Sequence, residues 1–125
     1  DDILQVYGKN KLDIIFASNQ TQLEGANAAI ITAGRHDVAL FGVDDSDAIF
    51  DALQDPKSSM QSTVVQDPIA MGKKAVEVGI AMYKGEKFDP PVFNPEVYLV
   101  TRDNVKEFIE SKKAAVEELK DYYGK

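Results

Sequence analysis

The sequence contains no cysteine, so disulfide bonds and thiolate metal sites are excluded from the outset. It has a single histidine, His36, which follows Arg35 and a predicted helix end at Gly34. No cysteine or second histidine exists to form a catalytic triad or a metal-ligand pair with it. We therefore expect His36 to lie in a surface loop, and we expect the protein to use no metal and no cofactor.

The chain also lacks long apolar runs and low-complexity tracts. The run IIFA at 14–17 is far shorter than the roughly 20 residues that a membrane-spanning helix needs. No segment has the basic, apolar and small-residue order of a signal peptide. Because the sequence starts at Asp1 and Asp2 without a methionine, we expect it to be a fragment of a longer protein.

Basic residues are in the minority, with 14 Lys and Arg against 21 Asp and Glu and a formal net charge of −7. Nucleic-acid binding normally gathers Lys and Arg on one face, whereas the basic pair Lys112 and Lys113 is surrounded by glutamates. We therefore expect no nucleic-acid partner. With 125 residues, of which 44% are hydrophobic, the chain has the size of one domain or one lobe.

Short apolar runs alternate with amphipathic stretches, which is the order that gives a parallel sheet covered by helices. We predict strands at 13–17, 38–43, 62–66 and 97–100, with helices between them and after the last one. Asn19 is placed to cap the first of these helices, and Gly34 to end it. Thr101 or Asp103 is expected to cap the last helix. The predicted class is α/β, with a three-layer parallel sheet and helices on both faces.

The helix that begins at Pro68 and runs to about Lys84 has an unusually broad apolar surface. Proline suits the first turn, because its missing N–H would be unpaired there. Two apolar rows follow, made of Ile69, Val76, Ile80 and Tyr83 and of Met71, Ala75, Val78 and Met82. One sheet can cover only one of these rows, so we expect the helix to need further cover. A proline-rich loop at 89–95, with Phe88 before it and Phe93 within it, leads on to the last strand.

Three polar residues stand at the predicted carboxyl ends of strands: Asn19, Asp44 and Gln66. Ligands of open parallel sheets bind at that edge, where loops and helix starts converge. A carboxylate accepts hydrogen bonds from adjacent hydroxyls, and a carboxamide both donates and accepts, so the set suits a neutral polyhydroxyl ligand. The local alternatives are an N-cap for Asn19, a turn residue for Asp44 and a plain strand-end residue for Gln66.

Seven segments together resemble periplasmic sugar-binding proteins of the ribose and galactose type. They are IIFASN at 14–19, GA at 25–26, LFGVD at 40–44, TVVQDP at 63–68, MGKKA at 71–75, KGE at 84–86 and YLVTRDNV at 98–105. The resemblance implies the C-terminal part of a type I solute-binding fold, with Asn19, Asp44 and Gln66 as ligands of a pentose or hexose. Gln66 would also stand close to a hinge. The family usually has an acidic residue where this sequence has Gln20.

The resemblance also implies how the chain is divided and what accompanies it. Residues 1–67 would form the C-terminal sugar-binding lobe, 68–95 a helix and crossing that pack on an N-terminal lobe, and 96–125 a returning strand and final helix. That N-terminal lobe precedes the present segment, so we expect it as a companion fragment or as part of a swapped copy. The implied function is binding without catalysis, with delivery to the permease of an ABC transporter. The implied location is the periplasm, or the outer surface of a Gram-positive bacterium with a membrane anchor.

Two alternatives stay open at this point. A transcription repressor can contain a similar two-lobed core, although no basic DNA-reading segment is present here. A Mg²⁺-binding receiver or phosphatase-like domain could use Asp44, Asp45 and Asp47, because clustered carboxylates hold hard cations. The order of acidic residues does not fit a receiver domain, and Ser46 stands where a phosphatase needs its second aspartate.

Overall fold

The computed structural model describes residues 2–87 and 96–124. The predicted loop at 89–95 and the adjoining Phe88 lie outside the described residues. The elements are five helices and four strands within those ranges. In chain order they are α1 (Asp2–Val6), β1 (Ile14–Ala17), α2 (Gln20–Ala33), β2 (Ala39–Val43), α3 (Asp47–Gln54), β3 (Met60–Gln66), α4 (Pro68–Tyr83), β4 (Val97–Thr101) and α5 (Val105–Tyr123).

The four strands form one sheet in the order β1-β2-β3-β4. The first three are parallel, as predicted, and they are joined by α2 and α3. The last strand differs, because β4 pairs with β3 in the antiparallel sense, with Val97 opposite Gln66. The reason is that the chain leaves the sheet into α4 and comes back at the same edge, so β4 must run the other way.

The ends of α2 and α4 follow from their sequence. Asn19 has an extended backbone and its side chain accepts a hydrogen bond from the Gln22 N–H, as an N-cap does. Gly34 ends α2 with φ 61°, a left-handed conformation that glycine adopts without a steric penalty. Pro68 opens α4, and the Asp67 side chain caps it by accepting from the Ala70 N–H. These predicted boundaries are confirmed.

The core lies between one face of the sheet and the helices α2, α3 and α5. Helix α2 contacts β1 and β2, α3 contacts β3, α5 contacts β4, and neighbouring helices touch each other. The strand residues that are buried all belong to this face by register. They are Ala17, Leu40, Gly42, Met60, Thr63, Val65 and Val100. The described residues therefore form a mixed α/β fold, with a four-stranded sheet and helices packed against this face.

The second face of the sheet carries apolar side chains without a covering helix from the described part of the chain. Ile14, Phe16 and Leu99 are each more than half exposed, at 59%, 66% and 59%. The register places them on the face opposite the buried row, in line with the half-buried Phe41 and Val64. We call this surface the open face.

Helix α4 stands apart from the body. None of its residues is buried, and Val76, Ile80 and Met82 are 63%, 52% and 61% exposed. The sheet therefore buries neither apolar row of this helix, so the predicted need for further cover applies to both rows. The broad apolar surface that the sequence predicted is present on both rows.

Two local features differ from prediction. The last helix begins at Val105, with Asn104 at the cap position, and neither Thr101 nor Asp103 caps it. The Asn104 side chain instead accepts from the Thr101 N–H and donates to the Leu99 carbonyl, which fixes the turn after β4. Helix α1 was not predicted, because five residues are too few to show a period.

Candidate functional site

Asp44 is the centre of the polar cluster at the carboxyl edge of the sheet. Its Oδ1 accepts a hydrogen bond from Gln66 Nε2 at 2.8 Å, and its Oδ2 accepts one from the Gln20 N–H at 3.2 Å. The residue has φ 77°, an uncommon conformation for a residue with a side chain, although aspartate tolerates it better than most. Strand β2 thus ends in a turn that directs this carboxylate across the ends of its neighbours.

The structure brings the three predicted site residues to one edge. Gln66 ends β3 and is exposed, and its side-chain amide donates a hydrogen bond to the Asp44 carboxylate. Asn19 follows β1 and immediately precedes Gln20, whose N–H bonds the same carboxylate. The Asn19 Oδ1 is engaged as the cap of α2, and its Nδ2 donates no hydrogen bond to the described residues. Asn19 is therefore the N-cap of α2, and this role uses its side-chain oxygen but leaves its amide nitrogen able to donate to a ligand.

A second group of polar side chains supports the edge between α2 and α3. Glu24 accepts from the Ser46 hydroxyl at 2.6 Å and from the Gln20 amide at 3.1 Å. The pKa of Glu24 is lowered, mainly by the hydrogen bond from Ser46 and to a smaller extent by the one from Gln20. Ser46 also accepts from the Ile49 N–H and so caps α3. These contacts hold the first turns of the two helices together beside Asp44.

The chain crosses the edge twice next to Gln66, once on the way to α4 and once on the way back. The Asp67 N–H donates to the Glu96 carbonyl at 3.3 Å. The Tyr98 hydroxyl lies 3.4 Å from an Asp67 oxygen and 3.3 Å from a Glu96 oxygen. The pKa of Tyr98 is raised, first because its hydroxyl is removed from water and then because the negative charges of Asp67 and Glu96 lie nearby. The two crossings are therefore tied to each other at the sheet edge.

The chemistry of this edge is that of hydrogen bonding, with a charged acceptor between two carboxamides. Within residues 2–87 and 96–124, no three His, Asp or Glu side chains form a group that could hold a metal ion. Asp44 is engaged with Gln66 and Gln20, and Asp45 makes an ion pair with Lys112.

His36 is exposed, as expected. No helix of the described chain is long and apolar enough to cross a membrane.

A family model described as a periplasmic binding protein domain matches residues 1–87. The chain belongs to the periplasmic binding protein family. A ribose import binding protein of Salmonella typhimurium is 38% identical over 73 residues, which is 58% of this chain and 24% of that relative. The chain therefore spans about a quarter of the length of this curated relative.

Solved structures agree with this family assignment. A solute-binding protein of an ABC transporter from Agrobacterium vitis, with bound allitol, superposes with a TM-score of 0.77 at 25% identity and covers 88% of this chain and 38% of its own. A carbohydrate transporter solute-binding protein from Agrobacterium radiobacter, in complex with D-arabinose, has a TM-score of 0.66 at 30% identity and covers 82% and 34%. The predicted type I fold is confirmed. These relatives are named as transport proteins, so they do not support the repressor alternative.

Two contributors to the edge were not predicted from the sequence. One is the backbone N–H of Gln20, which any residue except proline supplies, so no side-chain signal could reveal it. The other is Thr63, whose hydroxyl donates to the Asp44 carbonyl at 2.6 Å. A signal for Thr63 did exist, since it is a polar residue at an inward position of a strand, where valine or isoleucine is more usual.

Proposed function

We propose that this chain forms one half of the binding site of a solute-binding protein that takes up a pentose or hexose, and that it catalyses no reaction. The observation that carries the proposal is the Asp44 carboxylate, held 2.8 Å from the Gln66 amide at the carboxyl edge of the sheet. A charged acceptor beside a carboxamide can hold two adjacent hydroxyls of a sugar. The complexes of similar proteins with allitol and D-arabinose support a ligand of this class.

Each of the three residues has a distinct role in this proposal. Asp44 accepts hydrogen bonds from sugar hydroxyls, since its carboxylate oxygens have further lone pairs beyond those used by Gln20 and Gln66. Asn19 donates through Nδ2, because its oxygen is occupied in capping α2. Gln66 donates or accepts at the point where the chain leaves the sheet.

The site would be completed by a second lobe that closes over it. We assign residues 1–67 to the C-terminal sugar-binding lobe, 68–95 to a helix and crossing that pack on the other lobe, and 96–125 to a returning strand and final helix. The tied crossings at Asp67 and Glu96 support a hinge at this edge, because a bend there moves α4 without breaking the sheet. Closure on the ligand would link sugar affinity to recognition by the permease of an ABC transporter.

The exposed apolar surfaces support the need for a partner. Helix α4 leaves Val76, Ile80 and Met82 more than half exposed, and the open face adds Ile14 and Phe16. Burying one such side chain is worth roughly 1.5–3 kcal/mol, so surfaces of this extent favour cover by another polypeptide. The missing lobe, as a companion fragment or as part of a swapped copy, would supply it. The match to a periplasmic binding protein domain supports the exported location that we propose, either the periplasm or an anchored position outside a Gram-positive cell.

Light scattering of the purified 125-residue chain tests this need. We expect a complex larger than the 13.8 kDa of one chain, or a second polypeptide on a denaturing gel. A stable monomer without a companion would contradict the proposal, because it would show that α4 and the open face cover themselves. The same measurement after Ile80→Glu serves as a control, since a charge at this exposed position should weaken any association through α4.

Calorimetric titration of the protein at its full natural length tests the sugar site. D-arabinose, ribose and allitol are the first ligands to use. We expect Asp44→Ala to weaken binding by about 10- to 150-fold, which corresponds to the 1.5–3 kcal/mol of hydrogen bonds to a charged acceptor. Asp44→Asn keeps the shape and the tolerance for positive φ, and isolates the effect of charge. Asp51→Ala, which removes an exposed carboxylate from α3, is the matched control, and unchanged affinity in both Asp44 variants would refute the assignment.

A further inference from the structure

The backbone of Asp44 is held in an uncommon conformation by contacts with β3. Its φ of 77° lies in the left-handed region, which costs a residue with a Cβ roughly 1 kcal/mol or more. The strand-end turn therefore stores a small amount of strain at the residue that carries the charge of the site. Such a conformation persists only where neighbouring groups fix it.

Two hydrogen bonds fix it here, and both come from β3. The Asp44 N–H donates to the Val64 carbonyl at 2.9 Å, and the Thr63 hydroxyl donates to the Asp44 carbonyl at 2.6 Å. The first uses main-chain atoms and is independent of residue type. The second depends on the Thr63 side chain.

Thr63 places a hydroxyl group in a buried, apolar part of the sheet. Its side chain is fully buried, with 0% exposure, in a row formed with Ala17, Gly42 and Val100, none of which has a polar side chain. A hydroxyl taken out of water costs free energy unless it is hydrogen-bonded, and its bond in this structure is to Asp44. Valine would fill the same space without that cost.

We propose that Thr63 is a positioning residue of the binding site, which acts on the ligand through Asp44. Its hydroxyl holds the Asp44 carbonyl, and this holds the carboxylate beside the Gln20 N–H and the Gln66 amide before any sugar binds. A group that is already ordered loses less entropy on binding, so this contact raises affinity without touching the sugar. The inference rests on the proposed function of Asp44, and it adds a residue that no sugar-contact argument would select.

Thr63→Val and Thr63→Ser in the protein at its full natural length separate the hydroxyl from the shape. We expect Thr63→Val to weaken sugar binding by about tenfold, equivalent to about 1.4 kcal/mol. Thr63→Ser keeps the donor and should restore affinity to within about twofold of the original protein. Ser62→Ala is the matched control, because Ser62 is the neighbouring hydroxyl on β3 and lies on the opposite face of the sheet. We expect it to leave the affinity unchanged.

A reporter that needs no sugar is the amide proton of Gln20, which bonds the Asp44 carboxylate. Its chemical shift should move in Thr63→Val in the same direction as in Asp44→Ala, and should return in Thr63→Ser. An unmoved Gln20 amide in a folded Thr63→Val protein would overturn the inference. If that variant does not fold, Thr63→Cys replaces it, because a thiol is a much weaker hydrogen-bond donor than a hydroxyl. The Gln20 amide must then move in the same direction, and an unmoved amide would overturn the inference equally.

The two readouts also distinguish this inference from the proposed function. If the Gln20 amide moves as expected but no sugar binds the original protein, Thr63 positions Asp44 and the proposed function is wrong. If sugars bind and Asp44→Ala abolishes binding while Thr63→Val changes neither readout, the proposed function stands and the positioning role is refuted.

Discussion

Gly42 of β2 lies against the Leu23 side chain of α2, and its substitution by alanine gives a sharp test of the packing. A Cβ at this position would lie 2.6 Å from both Leu23 Cδ atoms and 3.0 Å from Leu23 Cγ. Carbon atoms prefer separations of about 3.5–4.0 Å, so the Leu23 side chain must move. Leu23 is fully buried, and a close-packed interior leaves little room for such a movement.

The expected magnitude combines two opposing effects. Overpacking of a filled core costs about 1–3 kcal/mol. Replacing glycine by alanine also restricts the unfolded chain, which returns about 0.4–1 kcal/mol. From the middle of each range, we expect Gly42→Ala to lower the free energy of unfolding by about 1.3 kcal/mol. Leu23→Ala alone should cost about 2–5 kcal/mol, because it leaves a cavity at the same place.

Urea unfolding followed by far-ultraviolet circular dichroism measures these effects. All variants of the 125-residue chain must be compared at one protein concentration, because association shifts the midpoint. In the double variant the new methyl group partly fills the Leu23 cavity, so its cost should be less than the sum of the two single costs. Gly79→Ala in α4, where an added Cβ meets nothing within 4 Å, is the control and should stabilise slightly. A Gly42→Ala protein as stable as the original, or strictly additive costs, would refute the close approach of α2.

Two further predictions concern acid stability and the ranking of the site residues. The Arg35 hydrogen bond lowers the pKa of Asp37 from 3.8 to about 2, so this carboxylate stabilises the fold fully above pH 3.8 and loses its contribution as the pH falls through about 2. Asp37→Asn should therefore flatten the loss of unfolding free energy across that window in urea titrations, and an unchanged pH slope would contradict the ion pair. Among the proposed sugar ligands, Asp44→Ala should weaken binding more than Asn19→Ala or Gln66→Ala, because neutral hydrogen bonds are worth only about 1 kcal/mol. Calorimetry on the three variants decides the order, and a larger loss at Asn19 or Gln66 would show that the charge does not dominate.

The sequence by itself determined the features that depend on short-range chemistry. Apolar runs bounded by polar residues located all four strands, and Asn19, Gly34 and Pro68 located helix ends, because capping and backbone preferences act within a few residues. The strand-end positions of Asn19, Asp44 and Gln66 also followed from this order. In a parallel sheet, carboxyl ends meet at one edge whatever the details of packing.

Only the tertiary structure decided the features that depend on distant segments. The antiparallel sense of β4 depends on where the chain returns after α4, and the composition of a strand does not encode its direction. The exposure of α4 and of the open face depends on which surfaces find partners, since an apolar row looks the same in sequence whether it is buried or not. The contact of Thr63 with Asp44 joins residues 19 positions apart through the register of β2 and β3. A hydroxyl's partner is set by such three-dimensional pairing, which no local pattern specifies.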